Sequence, residues 1–294
     1  MIKTTLSATD KNSLIIWGHS IPNEFLSEFD ITYLNNLPTV IPSVDWVCSE
    51  LDRIWYEQKL DNNKSFVNQP IGVYYSHPVW IMNGIFSASD TASLAHRSAI
   101  ANYLMAFNPN VIADYGGGFG QLALSMAKAM PGASIHVIEP YPSKVGIHRL
   151  RTEPQIQMKS RLSIESYDAI VAQDVLEHVE DPIKLASEIA ESARINGKVI
   201  FANCFFPVIQ SHLPSTFHLR YTFPLVMKAL GLRFVGVVQG AEHAQIFERV
   251  GKIDLAKARQ IESISKLIGP FINAGYYILL ASYRIFKKLL LIYK

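Results

Sequence analysis

The sequence predicts an α/β fold. The expected core is a mainly parallel seven-stranded sheet with helices on both faces and a terminal antiparallel hairpin. A helical N-terminal extension precedes it. Three observations carry this expectation. Short apolar runs alternate with helical stretches from residue 111 onward, the pattern of a sheet covered on both sides. A glycine-rich loop, Gly116–Gly120, joins the first of those runs to a helix. The chain of 294 residues is 49% hydrophobic and only 18% charged, enough for one large domain with extensions and too apolar for disorder.

Taken in order, residues 1–42 mix short apolar runs such as Ser13 to Trp17 with several prolines and suggest no definite element. After Pro42-Ser43, the residues Val44, Val47, Leu51, Ile54 and Trp55 follow helical spacing and predict a helix over 44–59. Asp61 to Gln69 is polar and reads as a loop, followed by an aromatic segment at 72–86. Asp90 is suited to cap a helix that ends at Asn108-Pro109-Asn110. Strands are then expected at 111–115, 135–139, 155–158, 168–173, 198–204, 234–239 and 245–250. The last two form a hairpin around Gly240, and helices are expected at 121–130, 182–194 and 221–230. This divides the chain into an extension (1–107), a core domain (108–250) and a basic, apolar helical tail (251–294).

Composition excludes several classes. Two cysteines, Cys48 and Cys204, rule out a disulfide scaffold or a Cys-rich zinc site and suit a reducing compartment. A net charge of +2 gives no general reason to bind nucleic acid. No long apolar stretch follows the first methionine, so no signal peptide is expected and a cytoplasmic location follows. Zinc spacings, a P-loop, G-x-S-x-G and HExxH are all missing from the sequence, and no metal site is expected.

The chemistry concentrates at the glycine loop. Asp114 precedes Gly116, Gly117, Gly118 and Gly120. Glycine can take positive φ in the turn and has no Cβ to block a ligand lying on the backbone. The helix behind offers free amide donors at its N-terminus. Glu139, at the end of the next strand, is placed where a carboxylate can accept both hydroxyls of a ribose. A dinucleotide fingerprint needs G-x-G-x-x-G, and residues 116–121 fail at the last glycine. The observed form is acidic-x-G-x-G-x-G.

That spacing resembles motif I of the class I S-adenosylmethionine-dependent methyltransferases, which share a Rossmann-like fold. A second block, Tyr167-Asp168-Ala169-Ile170 through Val175-Leu176-Glu177-His178-Val179-Glu180-Asp181-Pro182, resembles the fourth-strand signature of their small-molecule and quinone-biosynthesis members. The resemblance covers about 108–250. It implies S-adenosylmethionine as cofactor and a small-molecule hydroxyl or amine as methyl acceptor, with a sugar, glycan or lipid-linked intermediate as leading options and O-methylation favoured. It places Asp114, Gly116, Gly117, Gly118, Gly120, Glu139, Gln173 and Asp174 around the cofactor. His218 and His178 are the candidate catalytic bases; His77, Trp80 and His212 are candidates for acceptor contact. The family often has an aspartate after the third strand, and this chain has Ser160 and Arg161 there. Two other readings remain open: a catalytically silent binding protein on the same fold, and a nicotinamide-dependent oxidoreductase.

Charge is uneven. Residues 251–294 carry eight Lys/Arg against Asp254 and Glu262, which makes +6 and leaves −4 for the rest. The 17 uncharged residues Leu267 to Tyr283 stand at the lower edge of the ~17–25 that span a bilayer. An interfacial helix, with Tyr276, Tyr277, Leu280, Tyr283 and Leu291 entering the headgroup layer, fits better than a spanning one. It would hold the protein at the inner face of the membrane. Packing on the core domain, or self-association through 267–294, is the competing expectation.

Overall fold

Local sequence sets the helix starts. A computed structural model describes residues 12–292, with side chains described to Tyr276. Strands β1 (Ser13–Ile16) and β2 (His19–Pro22) pair antiparallel through a two-residue turn in which Trp17 and Gly18 both have positive φ. Helix α1 (Glu28–Asn35) begins with a capping box between Ser27 and Asp30. The Ser43 hydroxyl caps α2 (Val44–Glu57), and Asp90 caps α5 (Thr91–Phe107) by accepting the Ser93 amide at 2.7 Å. Between them, the aromatic segment forms two short helices, α3 (Ile71–Tyr75) and α4 (Val79–Ser87). The apolar stripe of α2 meets α3 and α4 in a separate core of the extension, built on Trp55, Tyr74, Met82 and Ile85.

The domain that follows alternates strand and helix: β3 (Val111–Tyr115), α6 (Gln121–Ala129), β4 (Ser134–Ile138), α7 (Lys144–Leu150), β5 (Ile156–Lys159), β6 (Tyr167–Gln173), α8 (Pro182–Ser192), β7 (Ala193–Ala202), α9 (Phe223–Leu230), β8 (Leu232–Val238), β9 (Ala241–Arg249) and α10 (Leu255–Ile292). The seven strands lie in the order β5-β4-β3-β6-β7-β9-β8, with β9 antiparallel to both β7 and β8. Successive residues of β6 feed opposite faces. Ile170 packs with Ala186, Phe201 and Phe223, whereas Val171 packs with Ile100, Leu122 and Ile200. The seven-stranded α/β sheet with its terminal hairpin is as the sequence predicts.

Differences are local. Helix α7 and the β1–β2 hairpin were not expected, and β7 starts at Ala193 rather than 198. Ala193 follows the last residue of α8 directly and pairs with Tyr167 across a register shift, so the helix-to-strand change needs no loop. The tail is one helix from residue 255. Through residue 276 it presents Ala258, Glu262, Ser265, Gly269 and Asn273 to the domain, and no helix among the described residues is long and apolar enough to cross a membrane.

The topology positions the site. The chain moves outward from β3 through β4 to β5, then returns to β6 on the other side of β3. The crevice at the carboxyl ends of β3 and β6 is the switch point where such sheets bind ligands.

Candidate functional site at the switch point

The glycine loop leaves β3 with Gly116, Gly118 and Gly120 all at positive φ. A Cβ on Gly116 would overlap Val175, one on Gly117 would stand 2.7 Å from Val137 Cγ1 and 2.9 Å from Asp114 Oδ2, and one on Gly120 would overlap Leu150. These three glycines are required by the protein's own packing. Gly118 differs: its Cβ would meet nothing nearer than the Gly116 carbonyl at 3.9 Å. Its missing side chain leaves the outer side of the loop clear.

Glu139 reaches back to this loop. One carboxylate oxygen accepts the Gly118 amide at 2.7 Å and the other accepts the Tyr141 amide at 2.9 Å. The carboxylate is thus aimed at the rim of the loop. Asp114 lies beneath, 2% exposed, and its Oδ2 has no hydrogen-bond partner among the described residues. Burial raises its carboxyl to about 7, partly opposed by the Arg97 guanidinium. Arg97 projects from α5, donates to the Ser87 carbonyl at 3.2 Å, and feels Asp174, Asp114 and Asp90. It escaped sequence reading because a single arginine in a helix gives no periodic signal.

Across the crevice, β6 ends in Gln173 and Asp174. Gln173 donates to Asp174 Oδ2 at 3.2 Å, and Asp174 is held at positive φ while its amide bonds the Ala202 carbonyl. Glu177 is fully buried, accepts the Cys204 amide at 2.7 Å, and is pushed up to about 8 by burial and by the Asp174 charge. His178 donates Nδ1–H to the Ser211 carbonyl at 3.0 Å, and burial holds it down to about 3. His212 does the same to the Phe206 carbonyl at 2.9 Å, and the two rings meet edge to face at 4.8 Å. Burial lowers His212 as well. Both imidazoles are neutral near pH 7.

The extension closes over this cluster. Trp80 and Tyr75 face the His178 ring at 6.5 and 6.4 Å, and Tyr75 stacks on Tyr141, two residues beyond Glu139. His77 stands apart from them. Its Nδ1 accepts the Val79 amide, its ring meets Phe29 and Tyr33, and it lines an outer groove of about 740 Å³ between Glu57 and Gly72.

His218 is placed elsewhere. Its Nδ1 donates to the Ser215 carbonyl at 2.8 Å, its Nε2 lies 3.9 Å from Glu262, and its backbone touches Gly269 of α10. The ring is committed to the helix α10 contact, which corrects the expectation that it faces a methyl acceptor. The reason is that 214–219 coils into a 3-10 turn under α10, where polar groups of that helix need partners.

A second cavity, about 240 Å³, opens beside the end of β7. Phe205, Phe206 and Phe223 form apolar walls, and Asn203, His243 and Gln245 supply polar ones. Asn203 Oδ1 and Gln245 Oε1 have no hydrogen-bond partner among the described residues. Sequence reading singled out none of Asn203, His243 and Gln245 as site residues, because the end of β7, the loop after it and β9 meet only in three dimensions.

Comparison with known proteins agrees with the motif reading. Residues 93–221 match a family model described as a methyltransferase domain. Phosphoethanolamine N-methyltransferase 2 of Haemonchus contortus, solved with S-adenosylhomocysteine, is 23% identical with a TM-score of 0.30; the match covers 34% of this chain and 27% of that one. The chain thus spans about a quarter of that protein's length. Human N-acetylserotonin methyltransferase with S-adenosylmethionine is 17% identical, covering 76% of this chain and 70% of that one, TM-score 0.47. Burkholderia thailandensis 1,6-didemethyltoxoflavin-N1-methyltransferase is 12% identical, covering 55% and 80%, TM-score 0.44. No curated protein matches the chain.

Proposed function

We propose that this chain, whose residues 93–221 match the methyltransferase-domain model, transfers a methyl group from S-adenosylmethionine to a hydroxyl or amine of a small molecule. The observation that carries the reading is a glycine loop that holds the Glu139 carboxylate through the Gly118 amide while the Cβ position of Gly118 stays open, a carboxylate beside a clear loop surface as a ribose diol needs. Glu139 exchanges its two amide donors for the ribose hydroxyls or shares them. Asp114, buried beside Arg97, sits where the cofactor's amino acid end would lie. Gln173 and Asp174 border the same crevice.

The cavity beside Asn203 is our choice for the acceptor. Its two amide oxygens call for hydrogen donors, so an acceptor rich in hydroxyl or N–H groups fits, and the phenylalanines suit the flat faces of a sugar or aromatic ring. Methyl transfer from a sulfonium is a displacement in which positioning alone supplies roughly 7–11 kcal/mol. His212, neutral and tied to this cavity through the Phe206 carbonyl, is the group able to take a proton, and His178, held down to about 3, is the weaker base. Oxygen is the favoured acceptor atom. His77 and Trp80 belong to the extension's cover, with Trp80 the nearer to the histidines.

A specific observation also favours peripheral attachment. The face of α10 turned away from the domain carries Ile264, Leu267 and Phe271, the last two 71% and 76% exposed. Such a stripe beside Lys266 suits an anionic membrane surface. Tyr276 is not part of it, since its ring packs on Tyr221 at 4.9 Å; the side chains of Tyr277, Leu280, Tyr283 and Leu291 lie outside the described residues. A lipid-linked acceptor would follow from that attachment. The function is tested by an acceptor screen with isotopically labelled methyl donor: label passing to sugar or lipid-linked hydroxyl compounds supports the reading. Turnover of nicotinamide cofactors in place of methyl transfer would reject it.

A further inference from the structure

We infer that Glu177, His178 and His212 form a binding site for a first-row divalent transition-metal ion. One donor atom from each of the three lies within 4.8 Å of the other two, although His212 is far from the other pair in sequence. Two neutral imidazoles and a carboxylate form the donor set that such ions prefer over magnesium or calcium.

Three further features fit a built site. Both rings donate Nδ1–H to a backbone carbonyl, His178 to Ser211 and His212 to Phe206. A carbonyl can only accept, so each neutral ring carries its lone pair on Nε2. Anchoring the remote nitrogen in this way is the usual outer support of metal-bound histidine. Glu177 is fully buried with one oxygen on the Cys204 amide, and its other oxygen has no partner among the described residues. A buried carboxylate left half-satisfied is costly unless a proton or a cation meets it. Finally, Asp174 stands three residues before Glu177, at positive φ, and its charge acts on the Glu177 carboxyl.

Ligand atoms around an ion at ~2.0–2.2 Å stand roughly 3.3–3.6 Å apart, so the three side chains would close in by about 1 Å on binding. That is within reach of side-chain rotation. The open coordination positions point to the use of the ion, and this part rests on the methyl-transfer reading. An acceptor hydroxyl bound there would pass its proton to solvent water more readily, the two histidines then being ligands rather than bases, and its oxygen would bond the methyl as the bond from methyl to sulfonium sulfur breaks. Binding of the ion itself does not depend on that reading.

The test uses tag-free full-length protein stripped with chelator and titrated with cobalt(II) alone. We expect one ion per chain with visible ligand-field absorption. Glu177→Gln and the pair His178→Asn with His212→Asn should weaken binding by more than the roughly 10–100-fold that loss of an outer support costs. His218→Asn should leave it unchanged. Because buried substitutions can unfold a chain, anomalous diffraction from wild-type crystals soaked in cobalt provides a second readout, with a peak expected between the three residues. Lack of saturable cobalt uptake, uptake unaltered in folded variants, or a peak at another place overturns the site. Cobalt binding with no S-adenosylhomocysteine binding would uphold the metal site and reject the methyltransferase reading, so the two fail separately.

Discussion

Gly84 of helix α4 lies against the ring of Phe119, so close that a Cβ on Gly84 would overlap the ring. Phe119 is part of the glycine loop, and its other side carries the Arg149 guanidinium at 4.1 Å. The extension therefore holds the loop directly. Gly84→Val must displace Phe119 at a cost of ~1–3 kcal/mol from overpacking. The expected outcome is a lower melting temperature together with weaker S-adenosylhomocysteine binding by calorimetry. A destabilised variant with unchanged affinity would show that the extension does not set the loop.

Glu139 makes two hydrogen bonds that a ribose would take over or share. Each charge-assisted bond contributes ~1.5–3 kcal/mol before relaxation. Glu139→Ala should weaken cofactor affinity by at least ~10-fold, since 1.4 kcal/mol already corresponds to that factor. Glu139→Gln should fall between. A cofactor-bound structure with the ribose turned away from residue 139 would refute the assignment.

Asp114 makes affinity depend on pH. Its folded carboxyl titrates near 7, above the unfolded value of ~3.9. The folded state therefore holds this proton more tightly, and the associated stability is present below ~4 and lost as pH rises through 7. Asp114→Asn should flatten that loss, visible as a melting temperature less sensitive to pH between 5 and 8. Binding of the ammonium group at the cofactor's amino acid end favours the carboxylate, so wild-type affinity should rise from pH 6 to 8, by no more than about tenfold per unit. In Asp114→Asn the rise should vanish. An identical pH profile in both proteins would remove Asp114 from the cofactor site.

Leu267 and Phe271 project from α10 away from the domain. Replacing both by aspartate should abolish co-flotation with anionic vesicles and leave the unfolding free energy within about half a kcal/mol of wild type, as for surface sites generally. Equal flotation of both proteins, or none by either, would exclude attachment through this face.

Much of this was legible beforehand because it depends on local signals. Strand–helix alternation, the Asp90 cap and the positive-φ glycines are written in neighbouring residues, and β3 and β6 stand within one residue of where their apolar runs place them, whereas β9 starts at Ala241 rather than 245. What escaped is non-local. Arg97 joins Asp114 only because α5 packs against α6 and β9, and Glu177 meets His212 only because the 203–213 segment returns to it. His218 misled for the same reason: its position after the fifth strand of the domain said nothing of α10, which claims it. The buried stripe of α10 could have been read from Ala258, Ser265 and Gly269 at helical spacing, but the apolar residues between them dominate the pattern.

Binding of S-adenosylhomocysteine to Gly118→Asn tests the central claim most directly. Asparagine tolerates positive φ, and a Cβ at this position meets no protein atom closer than ordinary contact, so the fold should survive. Its only effect should be to fill the open side of the loop at Gly118. The account predicts one-to-one calorimetric binding by the wild type and at least ~10-fold weaker binding by the variant, a loss of ~1.4 kcal/mol, with an unchanged melting temperature. Equal affinity in the two proteins, or wild type that binds NAD in place of S-adenosylhomocysteine, would contradict it.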